Sequence, residues 1–178
     1  MKVMISTLLL LQSLAGFCQR QEPPVSSGAE RMDMYLPMLQ GKNLAFVANH
    51  TSMIGPSHLV DTLMTRGITK QQILKVFAPE HGFRGDYSAG RQVENGMDPA
   101  TGIPIISLYG ANRKPTAGQL EGVELVVFDL QDVGTRFYTY ISTLHYVMEA
   151  CAENGIPMLL LDRPNPNGYV DGPLLEPE

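Results

Sequence analysis

Five short apolar runs recur along the chain, each bounded by turn residues: Asn43–Ala48 (NLAFVA), Ile73–Ala78 (ILKVFA), Ile105–Leu108, Leu125–Leu130 (LVVFDL) and Met158–Leu161 (MLLL). They are too short for globular helices and largely apolar at successive positions, so each predicts a strand buried on both faces. Between them the period changes. His58–Arg66 sets Leu59, Val60, Leu63 and Met64 at helical spacing, with Gly67 as its C-cap. Arg136–Glu153 sets Tyr140, Leu144, Val147, Met148 and Cys151 on one stripe, closed by Gly155. A shorter helical stretch covers Met34–Leu39 and stops at Gly41. Gly82–Pro104 has little periodicity, is rich in glycine, and predicts a long loop, which in a compact domain is usually functional or mobile. Strands apolar on both faces and separated by helices imply a parallel sheet covered on both sides. The expected fold class is α/β: an open, mostly parallel, Rossmann-like sheet with helices on both faces, spanning residues 41–173.

The first forty residues do not follow this pattern. Lys2, the apolar stretch Val3–Leu11 and a small-residue exit through Cys18 have the anatomy of a secretory signal peptide. Residues 1–18 are therefore expected to be removed on export, giving a periplasmic or extracellular protein. The rival reading is a lipoprotein anchor on Cys18, against which bulky Phe17 stands. Residues 19–40, with Pro23-Pro24 and Ser26-Ser27-Gly28, read as a linker and a short helix.

Composition narrows the function classes. A length of 178 residues suits one domain, and 44% hydrophobic with 17% charged residues excludes a disordered chain. A net charge of −5 offers no basic footprint for nucleic acid. No apolar run reaches the roughly 20 residues of a membrane span. Two cysteines without a CxxC argue against a zinc ribbon, and removal of Cys18 leaves Cys151 without an intrachain partner.

In open α/β sheets ligands bind beyond the carboxyl ends of the strands, and the polar residues of this chain gather there. The first strand runs into Asn49-His50-Thr51-Ser52, the second into Glu80-His81-Gly82-Phe83-Arg84. The third leads to Tyr109-Gly110 and Arg113-Lys114, the fourth to Asp129, Asp132 and Arg136, the fifth to Asp162-Arg163. Several have plainer readings. Asp132 also suits a helix N-cap, Asp162 beside Arg163 an ion pair, and His50 and His81 satisfied loop positions. His58, at a helix start, is expected on the surface. Glu80 stands out, held by Pro79 on one side and followed by Gly82, which permits close approach of a ligand. No GxGxxG, GxxxxGK[ST] or GxSxG motif is present, which weakens dinucleotide, P-loop and serine-hydrolase readings. His50, Glu80, His81 and Asp129 match no zinc motif, so neither metal nor cofactor is expected. The remaining enzyme template is a pair of carboxylates flanking a sugar-sized cleft.

Four blocks of sequence resemble the exo-β-N-acetylmuramidase NamZ family: Ala78-Pro79-Glu80-His81-Gly82-Phe83-Arg84-Gly85, Ser107-Leu108-Tyr109-Gly110 with Arg113-Lys114-Pro115-Thr116, Val127 to Tyr140, and Leu161-Asp162-Arg163-Pro164-Asn165-Pro166. The resemblance covers roughly Gly41 to Pro173. It implies an exported glycosidase that releases N-acetylmuramic acid from non-reducing ends of peptidoglycan fragments, with its active site in a cleft between a Rossmann-like domain and a smaller C-terminal one. Residues 174–178 would then begin the connection to that second domain. The family's proposed catalytic glutamate falls on Glu80. Asp129, as a charged neighbour, and His81, as acid or orienter, complete the catalytic candidates. Asn49, Arg84, Arg113, Asp132, Arg136, Tyr138, Asp162 and Arg163 are the candidate substrate contacts, the arginines because a guanidinium fork suits the lactyl carboxylate of muramic acid. Arg136 is expected to open the long helix and contact substrate or order Asp129 and Asp132. A non-catalytic muropeptide-binding module is the competing class.

Overall fold

The apolar runs pair into one sheet in a computed structural model that describes residues 25–85, 88, 94–135 and 137–167. In chain order the strands are β1 (Leu44–Ala48), β2 (Met53–Ile54), β3 (Ser57–His58), β4 (Ile73–Ala78), β5 (Gly96–Met97), β6 (Pro104–Ser107), β7 (Leu125–Asp129) and β8 (Met158–Leu160). β2 and β3 form a small separate hairpin, and the six others lie in the order β5-β6-β4-β1-β7-β8. All neighbours in this sheet are parallel except β5, which runs antiparallel along the edge of β6. Numbered among themselves, the parallel strands stand 3-2-1-4-5, the doubly wound order.

Both faces are covered, which explains why β1 and β7 are buried at five consecutive positions. On one face Leu44, Phe46 and Val127 meet Tyr35 and Leu39 of α1 (Met32–Leu39) and Leu59, Val60 and Leu63 of α2 (Leu59–Thr65). On the other, Ala45, Val47 and Phe128 meet Leu120 of α3 (Ala117–Leu120) and Val147, Ala150 and Cys151 of α4 (Tyr140–Glu153). The chain winds outward from β1 first toward β4 and later toward β8. Right-handed crossovers in opposite directions place α2 and α4 on opposite faces.

Several boundaries differ from those the sequence suggests. The loop from Gly82 to Pro104 contains β5, whose two rungs end at Pro104, a residue with no N–H for the ladder. The long helix starts at Tyr140 rather than Arg136. Its buried stripe takes in Thr143 and Ala150, while Met148 is exposed. The packed unit also begins before Gly41: Ala29, Tyr35 and Leu39 sit in the core, and the Gly28 amide donates to the Asp162 carbonyl at 2.6 Å. A side chain at Gly28 would meet the Asp162 nitrogen at 2.7 Å. The short helix is thus part of the domain and not of a linker. Arg136, the expected signal segment and residues 174–178 lie outside the described residues. Among the described residues, no helix is long and apolar enough to cross a membrane.

Two buried polar groups tie the carboxyl ends of the strands together. Asp129, the last residue of β7, is fully buried, and Arg163 beyond β8 grips it from Nε at 2.5 Å and Nη2 at 2.9 Å. The same Nη2 donates to the Met53 carbonyl at 3.0 Å. His58 caps α2. Its Nε2 lies 2.9 Å from the Asn49 carbonyl, and its Nδ1 accepts from the Val60 amide. That pairing suits only the neutral ring, and His58 is buried rather than on the surface. Burial pushes its pKa down to about 4.

Two outcomes follow for stability. Arg163→Ala leaves the Asp129 carboxylate buried without its partner and is expected to cost about 3–5 kcal/mol, read as a lowered midpoint in urea unfolding. His58 near pKa 6.5 in the unfolded chain takes up a proton that the folded chain refuses until about pH 4. Its contribution therefore destabilises the fold progressively as pH falls from about 6.5 to 4, by about 3 kcal/mol at the lower end. His58→Asn keeps an N-cap acceptor and does not titrate, so its unfolding free energy should lack this part of the acid slope.

Candidate active site

The strand order reverses between β1 and β7, where doubly wound folds usually hold a ligand. Here the protein's own side chains fill that crevice. Asn49, fully buried, donates from Nδ2 to the Tyr140 hydroxyl at 2.9 Å, and its Oδ1 accepts from the amide and hydroxyl of Thr51. The Ser52 hydroxyl donates to the Asp129 carbonyl, and the Gln131 amide to the Thr51 hydroxyl. Asn49 thus ties the β1 exit to the first residue of α4 and to its own loop, while Ser52 and Thr51 hold that loop to the β7 end. An Asn-x-Thr-Ser run leaving a buried strand is an Asx-turn pattern, and that signal was present in the sequence.

Open ground lies one strand further, beyond β4. Pro79 is buried and Glu80 and His81 are partly exposed. The chain then turns through two successive left-handed residues, His81 at φ 73° and Gly82 at φ 77°, closed by the Gly82 amide donating to the Pro79 carbonyl. Glycine adopts this conformation without cost, whereas for a histidine it is strained, and such strain clusters at functional sites. From the end of β6 the Tyr109 hydroxyl donates to Glu80 Oε1 at 3.2 Å. Partial desolvation, followed by the charge and hydrogen bond of Glu80, raises the Tyr109 pKa, so the phenol remains the donor.

Glu80 stands in the wall shared by two hollows. One, of about 270 Å³, is lined by Leu108, Tyr109, Arg113, Thr139, Ser142, Thr143 and Tyr146 beside Glu80. The other, of about 150 Å³, is lined by His81, Phe137, Tyr138, Thr139 and Tyr140 beside Glu80. Thr139 belongs to both. The loop entering α4 thus lies across from the β4 end. His50 approaches from the β1 loop, its ring edge-on to His81 with centroids 6.1 Å apart. Burial and then the proximity of His81 lower the His50 pKa.

The other expected site residues divide. Arg84 is taken by two carboxylates: Nη1 and Nη2 reach Asp61 at 2.7 and 2.9 Å, while Nε and Nη2 reach Asp98 at 3.2 and 2.9 Å. Its guanidinium also lies 4.4 Å from the centre of the Phe83 ring. It fastens the β4 loop to α2 and the β5 turn, and has no fork left for a substrate carboxylate. Arg163 and Asp129 are bound to each other, so the Asp129 carboxylate is committed to that guanidinium, and Asp162 is exposed and unpaired with Arg163. Asp132 accepts from the Gly134 amide in a turn and is eight residues short of α4, so it caps no helix. Its Oδ1 is buried without a hydrogen-bond partner among the described residues. Asp132, Asp162 and Arg163 line a separate hollow of about 350 Å³ beside β7 and β8. Tyr138 lies in the smaller Glu80 hollow and Arg113 in the larger. Arg113 donates from Nε to the Gly110 carbonyl, and no carboxylate among the described residues forms a salt bridge with it. Tyr109 stands at the strand end where the sequence placed it but was assigned no role, and Phe137 and Thr139 were not among the expected site residues. Among the described residues, no group of three or more His, Cys, Asp or Glu is arranged to hold a metal ion.

A family model described as exo-beta-N-acetylmuramidase NamZ, N-terminal, matches residues 44–178. A peptidoglycan beta-N-acetylmuramidase NamZ from Bacillus subtilis (strain 168) is 45% identical over 165 residues, covering 89% of this chain and 39% of the relative. Two crystal structures of DUF1343 family proteins from Bacteroides fragilis NCTC 9343 are similar in fold and sequence. One has a TM-score of 0.70 at 42% identity, covering 84% of this chain and 38% of the other. The second has a TM-score of 0.67 at 37% identity, covering 79% and 35%. The chain thus spans about two fifths of the length of the relatives it matches.

The left-handed turn after Glu80 sets an expectation. His81→Gly and His81→Ala both remove the imidazole, and only alanine keeps the strain of a positive φ. The glycine variant should be the more stable of the two by about 1 kcal/mol, measured as the difference in unfolding free energy. Equal stability of the two would place His81 outside the left-handed region.

Proposed function

Because the chain belongs to the family of NamZ exo-β-N-acetylmuramidase N-terminal domains, we propose that it carries the acid–base half of a glycosidase acting on peptidoglycan fragments, with Glu80 as general acid. The observation that carries this reading is the position of Glu80: a partly exposed carboxyl group held by Tyr109 in the wall between two adjoining hollows. A disaccharide laid across that wall has its linking oxygen beside Glu80 and one ring in each hollow. The relative named above, a peptidoglycan beta-N-acetylmuramidase, supports the substrate class. Export, read from residues 1–18, accords with a wall-derived substrate.

The chemistry asks little else of these residues. A glycosidic oxygen leaves poorly as an alkoxide, so the Glu80 proton passes to it as the bond to the anomeric carbon breaks. The bonding pair stays with the leaving oxygen, a water molecule supplies the hydroxyl that the released N-acetylmuramic acid gains, and the proton left from that water restores the Glu80 carboxyl group. Tyr109, donating to Oε1, fixes the carboxyl plane. Arg113 is the guanidinium within the larger hollow that can receive the lactyl carboxylate of the muramic ring. With Arg84 committed to Asp61 and Asp98, that role passes to Arg113. His81 shares the turn and the smaller hollow, where it orients Glu80.

Glu80→Gln keeps the shape and removes the proton. Turnover of the β-1,4-linked disaccharide of N-acetylmuramic acid and N-acetylglucosamine is expected to fall about 10²–10⁴-fold, and that of an activated aryl N-acetylmuraminide much less. Wild-type rates on both substrates would make Glu80 structural. Binding of the disaccharide without turnover, by the parent and the variant alike, would instead support a muropeptide-binding module.

A further inference from the structure

Phe137 is the most exposed large aromatic side chain among the described residues, at 83% of its surface, and Tyr138 beside it is 43% exposed. Exposed aromatic surface of this kind is unfavourable in a soluble domain unless something covers it. The two rings are tilted at 49° with centroids 5.8 Å apart, and Tyr138 meets Tyr140 edge-on at 6.4 Å. The row is anchored at its inner end, because the Tyr140 hydroxyl accepts from the buried Asn49. Its outer end opens into the smaller Glu80 hollow. The larger hollow has a different chemistry, with Arg113, Ser142 and Thr143 in its wall. A charged ring substituent suits that side, whereas the aromatic side offers a flat apolar face from Phe137 and Tyr138.

We infer that Phe137, with Tyr138, is a stacking platform for the uncharged sugar ring on the leaving side of the scissile bond. In a β-linked gluco-configured pyranose such as N-acetylglucosamine, the ring substituents are equatorial and the C–H bonds axial. Both faces are therefore apolar and fit flat against an aromatic ring, whose electron-rich face attracts polarised C–H groups. The muramic ring, carrying its carboxylate, lies on the Arg113 side. Phe137 is thus a specificity-determining residue that holds the second ring while Glu80 protonates the oxygen between the two. This inference rests on the glycosidase reading of Glu80 and adds to it which hollow takes which ring.

Binding rather than turnover tests it. In the Glu80→Gln chain, calorimetric titration compares two probes: the N-acetylmuramic acid–N-acetylglucosamine disaccharide, and methyl β-N-acetylmuraminide, which lacks the second ring. Phe137→Ala should weaken the disaccharide by roughly three- to tenfold and leave the methyl glycoside unchanged, while Phe137→Tyr should bind the disaccharide as the parent does. Phe137 is exposed, so neither variant disturbs the core. Unchanged disaccharide affinity in Phe137→Ala overturns the platform and leaves the Glu80 reading intact. An equal loss on both probes overturns the assignment of rings to hollows. Failure of the parent Glu80→Gln chain to bind either probe overturns the platform together with the carbohydrate reading beneath it.

Discussion

The carboxyl edge of this sheet depends on a single buried ion pair. Asp129 ends β7 with its carboxylate fully enclosed, and Arg163 reaches it from beyond β8 with two nitrogens while also holding the Met53 carbonyl of the β2–β3 hairpin. A lone buried carboxylate is among the costliest groups a core can contain. The segments that bear on Asp129 are therefore fixed relative to one another: the β1 loop through Ser52, the hairpin through Met53 and the β8 exit through Arg163 itself. The consequence for the candidate site is positional. With the β1–β7 crevice filled and fixed, open ground lies to either side of it, in the two hollows around Glu80 at the β4 end and in the hollow beside β7 and β8.

That arrangement explains which parts of the site could be read from the chain alone. The doubly wound sheet was legible because its strands are apolar at successive positions, a pattern that only two-sided burial requires. The turn that follows Glu80 was legible because Pro79 and Gly82 mark a place where backbone geometry matters. Arg84 and Arg163 were not. A guanidinium beside a strand end has the same sequence signature whether it meets a ligand or a carboxylate from another element. Asp61 and Asp98, which take up Arg84, lie 23 and 14 residues away in the chain. His58 was misplaced for a related reason. A histidine at a helix start looks solvated until the loop that brings the Asn49 carbonyl to its Nε2 is known.

Tyr109 was placed at a strand end without a role and Phe137 was passed over, because aromatic residues at strand ends and helix approaches usually belong to the core. One is defined by a hydroxyl directed at Glu80 and the other by its exposure, and neither property is written in a single sequence. The family resemblance drew attention to the segments that hold them. The geometry then separated residues that stabilise those segments from residues that face the hollows.

The bond between the Gly28 amide and the Asp162 carbonyl joins the first packed residues to the exit of the last strand. Ala29 and Leu161 share one core, so sequence positions more than 130 apart must meet before that layer is sealed. For a chain emerging from its N-terminal end, closure waits until β8 and its exit are available. Such non-local closure slows folding, and during that interval the apolar residues that line the layer remain open to other binding partners.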